Sequence, residues 1–216
     1  MDSAYWNNFY HSNPDLSKPS PFAEHVVGYL LKNNIKINLF DAGCGNGRDT
    51  IFIAHNKLST VGLDQSNVAI TENKKHVKEN MNSFLSYLEA DFTTYNYDDY
   101  LFKNTNDFFA LYSRFTWHAI NYKEEELLLN NIKLSKKLKY LFIEARTIQD
   151  SIYGDGQEVG MHEFITTHYR RFIEPLDLIK KIKNCGFEIN EFDEGVNFSK
   201  TDHENPHLLR IIAKKK

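Results

Sequence analysis

Two groups of residues in this chain have the types and spacing to do chemistry. The first is a run of glycines at alternate positions, Gly43, Gly45 and Gly47, set just behind the short apolar run Ile37, Leu39 and Phe40. Glycine tolerates the backbone of a tight turn and lets a ligand come close to the main chain. Residues 48–56 then carry Ile51, Phe52 and Ala54 at helical spacing, so the free N–H groups of a helix start face that turn. A second short strand, 60–63, ends in Asp64, 21 positions after Gly43 (64 − 43). That is close to the interval of about 20 residues at which a carboxylate receives ribose hydroxyls. The pattern predicts a nucleotide-cofactor site.

The second group is basic. In open α/β sheets, ligands lie beyond the carboxyl ends of the strands. Strand four, expected over 108–112, is followed by Tyr112-Ser113-Arg114-Phe115-Thr116-Trp117-His118, and strand five, expected over 140–145, by Arg146. The segment 147–173 then brings His168-Tyr169-Arg170-Arg171. Four arginines, two histidines and a tyrosine at strand ends, in a chain of net charge −3, predict a site for a compact anion. Arg114 and one of Arg170 or Arg171 would hold it. His118, with an ordinary pKa near 6.5, could serve as a general base or as a hydrogen-bond donor. A connection as long as 147–173 without strong periodicity reads as a substrate-covering loop.

The elements that must position these groups are legible in the pattern. Ser20-Pro21 opens a helix with Phe22, Val26, Val27, Leu30 and Leu31 on one face. Ser66 caps a charged helix expected to run to about residue 80, and a third strand, 84–88, closes at Asp91-Phe92. Asn121-x-x-Glu124 is a capping-box variant opening helix 122–136. Helix 175–185 stops at Gly186, and 187–192 and 208–213 read as closing strands. Alternating strands and helices imply a mostly parallel sheet covered on both faces. Residues 1–20 hold Tyr5, Trp6, Phe9, Tyr10 and His11, too aromatic for a disordered tail, and are expected to fold over the cofactor as a lid.

The glycine details select the cofactor. The dinucleotide fingerprint needs glycine at 48, where Arg48 stands, and an arginine at a helix start suits a carboxylate through a two-point contact. Asp41-Ala42-Gly43-Cys44-Gly45-Asn46-Gly47-Arg48 resembles the first motif of class I S-adenosylmethionine-dependent methyltransferases, particularly the small bacterial kind with arginine after the last glycine. The resemblance implies a single-domain, Rossmann-like α/β fold with a seven-stranded, mostly parallel sheet and helices on both faces, its seventh strand antiparallel. It further implies that Asp41, Gly43, Gly45, Gly47, Arg48, Asp64, Gln65 and Ser113 serve the cofactor, with Asp91 and Phe92 at the adenine. Enzymes of this class that methylate nucleic-acid nitrogen usually carry Asn/Asp-Pro-Pro-Tyr/Phe after strand four, and Tyr112-Ser113-Arg114-Phe115 stands there instead. The aromatic amino end, the Arg and His after strand four and the His-Tyr-Arg-Arg-Phe run are similar to small bacterial O-methyltransferases, including the phosphonate O-methyltransferase of dehydrophos biosynthesis. That similarity implies methylation of a small anionic metabolite, such as a phosphonate, phosphoramidate or phosphorylated sugar, with His118 and Arg114 catalytic and Tyr10, Arg146, His168, Tyr169, Arg170 and Arg171 on the acceptor. A sugar hydroxyl or an amine is the competing acceptor.

Bulk properties set the outer bounds. The 216 residues suit one domain, divided into an amino-terminal lid and helix over 1–34 and the substrate-covering segment over 146–173. With Lys+Arg 26 against Asp+Glu 29 and a pI of about 6.3, charge gives no support to a nucleic-acid partner. No apolar run approaches the length of a membrane span, so a cytoplasmic protein acting on a small molecule is expected. Cys44 and Cys185 offer neither a disulfide framework nor a metal site. The oligomeric state stays open.

Overall fold

The computed structural model describes residues 3–12, 18–77, 83–102, 107–201 and 204–216. Strands β1 (Asn38–Ala42), β2 (Thr60–Asp64), β3 (Leu85–Glu89), β4 (Phe109–Arg114) and β5 (Leu138–Arg146) pair in parallel in the order 3-2-1-4-5. Two further strands, named in chain order below as β9 (Phe187–Gly195) and β10 (Leu208–Lys215), complete a seven-stranded sheet. β10 inserts between β5 and β9 and runs antiparallel to both. The expected α/β architecture and its antiparallel closing strand are both present.

Each face has its own core because adjacent strand residues point to opposite sides. Phe40 faces the layer of α5 (Tyr122–Leu134) and α6 (Pro175–Asn184), with Leu128, Ile132, Leu178 and Ile182 fully buried. Leu39 faces α2 (Pro21–Lys32) and α3 (Arg48–His55), where Phe22, Val26, Leu30 and Ile53 are buried with Tyr112 and Phe142. Rings cover Phe40, with Tyr97, Tyr100, Phe102 and Phe109 all edge-on at 5.0–5.4 Å.

Local signals place the helix starts. Ser20 accepts the Ala23 N–H at 3.1 Å with Pro21 in the first turn, and Asn121 and Glu124 close their capping box. α4 (Asn67–Lys75) starts at Ser66 as expected but stops at Lys75, short of the predicted end near 80. Its apolar residues run out after Ile70, so little burial supports a longer helix; residues 78–82 lie outside those described. The amino end forms α1 (Ser3–Ser12), joined to the start of α4 by Ser66 Oγ donating to Asn7 Oδ1 at 2.6 Å. The Phe9 and His11 side chains expected to share in that aromatic end lie outside the described set.

Segment 147–173 differs most from expectation. It folds as a separate antiparallel sheet of β6 (Gln157–Gly160), β7 (Glu163–Ile165) and β8 (Tyr169–Arg171). Strands of three or four residues, largely exposed, are too short to print an alternation in sequence.

Gly62 in β2 tests the packing beneath the cofactor turn. A Cβ there would come within 2.6 Å of Tyr87 Cδ1 and 2.9 Å of Cys44 Sγ. Gly62→Ala should therefore destabilise by about 1 to 3 kcal/mol, read as a lowered urea midpoint; an unchanged midpoint would show that the Tyr87 ring yields freely.

Candidate active site

The turn after β1 is shaped by backbone that only glycine adopts readily. Gly43, Gly45 and Gly47 sit at φ 72°, 53° and 75°. A side chain at Gly43 would also strike the Thr116 methyl, and one at Gly45 the Tyr10 hydroxyl. Asp64, at the end of β2, holds the turn: Oδ2 accepts the Gly45 N–H at 2.9 Å and Oδ1 the Ser66 N–H at 2.8 Å. Asn73 adds a bond from its amide to the Gly45 carbonyl at 2.8 Å. α3 starts from Gly47 without a side-chain cap, leaving its first turn directed at the glycine loop.

Acids cluster on this side. Asp41 accepts from Thr50 Oγ1 at 2.6 Å, and burial pushes its carboxyl up to about 8. Burial also raises Asp64. Asp49 accepts from Ser20 N and Oγ and from the Tyr112 hydroxyl, each at 2.7 Å, fastening α2 to β4. Burial, then the nearby Asp64, holds the Tyr10 phenol well above its usual value, so it stays a donor.

Bases cluster beyond β4 and β5. Arg114 donates from Nε to Glu144 Oε1 at 3.0 Å, and Arg210 donates from Nε to the other oxygen at 2.7 Å. Glu144 is fully buried. Arg146 is paired with Asp150 at 3.0 Å and with Glu204. Phe115 lies between these arginines, 4.1 Å from Arg114 and 5.8 Å from Arg146 by ring centroid, at a left-handed φ of 60°. A bulky residue held there is strained, as happens at functional sites. His118 is buried; that burial and the guanidiniums of Arg146, Arg170 and Arg114 press its pKa well below the ordinary value. It therefore does not titrate near 6.5 as the sequence suggested.

Both clusters open on one cavity of about 570 Å³, a volume suited to a small-molecule site. Of the residues expected to bind, Tyr10, Asp41, Gly43, Gly45, Arg48, Asp64, Gln65, Phe92, Arg114, His118, Arg146, His168 and Arg170 line it. Others do not reach it. Arg171 is 2% exposed, paired with Glu125 and stacked over Tyr122 at 4.5 Å, so it braces β8 against α5 and is no acceptor ligand. Tyr169 donates to Glu163 at 2.8 Å and lines a smaller adjoining cavity. Asp91 spends Oδ1 on the Thr93 N–H and hydroxyl, Ser113 bonds Thr116, and Gly47 lies beneath the turn.

Sequence reasoning missed Glu144, Asp49 and the contribution of Tyr5 and Trp6 to the basic end of the cavity. A lone acid inside the apolar run Tyr140-Leu141-Phe142-Ile143-Glu144-Ala145 was the available signal, because a buried carboxylate demands a cationic partner. Tyr5 stacks on His168 at 4.7 Å, a contact between distant segments that no local pattern announces.

Residues 39–135 match the family model of a methyltransferase domain. Among curated proteins no sequence matches significantly. A solved S-adenosylmethionine-dependent methyltransferase from Anabaena variabilis superposes with TM-score 0.68 at 19% identity, over 100% of this chain and 96% of that one. Magnesium protoporphyrin IX methyltransferase from Synechocystis, with bound S-adenosylhomocysteine, gives 0.63 at 14% over 90% and 81%. A glycopeptide N-methyltransferase complexed with S-adenosylmethionine gives 0.64 at 10% over 92% and 95%. At these identities the likeness establishes the fold. The domain match makes residues 39–135 similar to a methyltransferase domain, and the fold of the chain is the one these S-adenosylmethionine-dependent methyltransferases share. The residues present suit S-adenosylmethionine, with a glycine turn tied to Asp64 and acids lining the same cavity. No helix among the described residues is long and apolar enough to cross a membrane.

Asp41 gives a pH signature. Its carboxyl ionises near 3.9 in an unfolded chain and at about 8 here. The native state thus holds the proton more tightly, and this contribution to stability, full below about 4, is lost as pH rises through about 8. Asp41→Asn keeps an acceptor for Thr50 and removes the dependence. Melting temperatures of the cofactor-free protein between about pH 5 and about pH 9 should fall less in the variant; parallel slopes would reassign the titration.

Proposed function

We propose that the chain transfers a methyl group to an oxygen of a small anionic metabolite, such as a phosphonate, a phosphoramidate or a phosphorylated sugar. The supporting observation is the division of one cavity into an acidic end at Asp41, Asp49 and Asp64 and a basic end at Arg114, Arg146 and Arg170. A bound cation favours the ionised forms of Asp41 and Asp64 that burial alone disfavours, so the two ends suit a cationic cofactor and an anionic acceptor. When bound, S-adenosylmethionine supplies an already activated methyl, so the protein's task is alignment and exclusion of water. Asp64 and the glycine turn hold the nucleoside end, Arg48 and Tyr10 the amino-acid end. Arg114, kept in place by Glu144, presents its guanidinium to the acceptor.

Methylating an anionic oxygen removes a negative charge, which methylation of a hydroxyl or an amine does not. With methyl-labelled cofactor and a panel of phosphonates, phosphate esters and carboxylates, labelled products should elute from anion exchange earlier than their acceptors, with one negative charge fewer; label confined to products of unchanged charge would overturn the reading. Arg114→Met should raise KM for the anion by about ten- to a hundredfold, the worth of a charge-assisted contact. S-adenosylhomocysteine affinity should stay as it was, and an unchanged KM would take Arg114 out of acceptor binding.

A further inference from the structure

The charges around the acceptor end can be paired off. Glu144 serves Arg114 and Arg210, while Asp150 and Glu204 serve Arg146. Among the described residues no carboxylate lies within ion-pair distance of Arg170; Glu204 and Asp150 act on it only at longer range, while each is engaged by Arg146. Its Nη2 donates to His168 Nε2 at 3.0 Å, and its buried Nε has no hydrogen-bond partner. Four guanidiniums against three carboxylates leave one positive charge in excess, and it falls on Arg170, which lines the cavity. A half-buried guanidinium with no ion pair and an unsatisfied Nε, facing the cavity, is suited to a ligand that supplies the missing anion.

The histidines add no charge to that sum. Burial, then Arg170, pushes His168 down to about 4, and burial, then Arg146, holds His118 well below its ordinary value. Their partners also fix where the protons sit. The Arg146 main-chain N–H donates to His118 Nδ1 at 3.3 Å, so that nitrogen is the acceptor and the ring proton resides on Nε2. Arg170 can only donate, so His168 Nε2 is likewise bare, and its proton is on Nδ1, 3.1 Å from Thr167 Oγ1.

We infer that Arg170 receives a single negative charge on the acceptor and that His118 donates from Nε2 to one of the acceptor's oxygens, so that the methylated oxygen is one already ionised in solution, a carboxylate or a singly charged phosphoryl group. The inference rests on the anionic-acceptor reading above. It makes His118 a donor at Nε2, and with Nδ1 already accepting the Arg146 N–H this ring offers no base to the acceptor. The ionised oxygen provides the electron pair of the new oxygen–carbon bond, the carbon–sulfur pair returns to sulfur, and no proton is released. A hydroxyl acceptor would have to lose one.

The test uses the complex with S-adenosylhomocysteine, titrated calorimetrically with acetate and with methylphosphonate from about pH 6 to about pH 9. Acetate should bind equally across the window, and methylphosphonate should weaken as its second proton leaves. Whichever anion binds more tightly identifies the acceptor group. Arg170→Met should lose at least about tenfold in anion affinity with S-adenosylhomocysteine binding unchanged. Anion binding that survives Arg170→Met, or tighter binding of the doubly charged phosphonate, overturns this inference while leaving an anionic acceptor in place; failure of the wild type to bind either anion overturns that reading as well. Nitrogen-15 chemical shifts of His118 in the wild type provide a check free of any folding defect. They should report a proton on Nε2 throughout, and a proton on Nδ1 or a titration near 6.5 would overturn the donor role.

Discussion

The architecture of the site hangs on the Asp64 carboxylate. Its two oxygens accept one N–H from the glycine turn and one from the start of α4, so a single side chain at the end of β2 sets the positions of two loops. Buried charge of this kind is retained only where hydrogen bonds replace lost water. The replacement here comes from main-chain groups that would otherwise be orphaned at a turn and a helix start. Sheet order then does the rest: β1 lies between β2 and β4, bringing the glycine turn beside the basic residues after β4.

The basic end is held by a different device. Buried ion pairs stabilise little, because desolvation offsets most of the attraction, but they fix direction. Glu144 between two guanidiniums keeps Arg114 from collapsing toward the acids across the cavity. Phe115, in its left-handed conformation, stacks on Arg114 and fills the space beside His118 at 5.3 Å. The strain of that residue is tolerated because β4 and β5 grip it from behind, through its N–H to the Glu144 carbonyl.

The fold and the glycine-turn end of the cavity were legible in the sequence because both are local. The glycine spacing, the strand before it, the acid at position 64 and the caps at Ser20, Ser66 and Asn121 each act within a few residues. The basic end of the cavity was legible in residue type and blurred in arrangement. Arg170 and Arg171 are neighbours on a strand whose side chains alternate, so one faces the cavity and the other Glu125, and sequence cannot choose between them without knowing the register. His118 looked like a group of ordinary acidity because its burial among three guanidiniums depends on β5 and β8, far along the chain.

α1 touches both ends of this divided cavity. Tyr10 closes against Gly45 while Tyr5 stacks on His168 beside Arg170, and both lie on one ten-residue helix. A short helix moves as a rigid body, so displacing either contact disturbs the other. On the two-ligand reading proposed above, occupancy of one end then bears on the other, and by linkage the coupling runs equally in both directions.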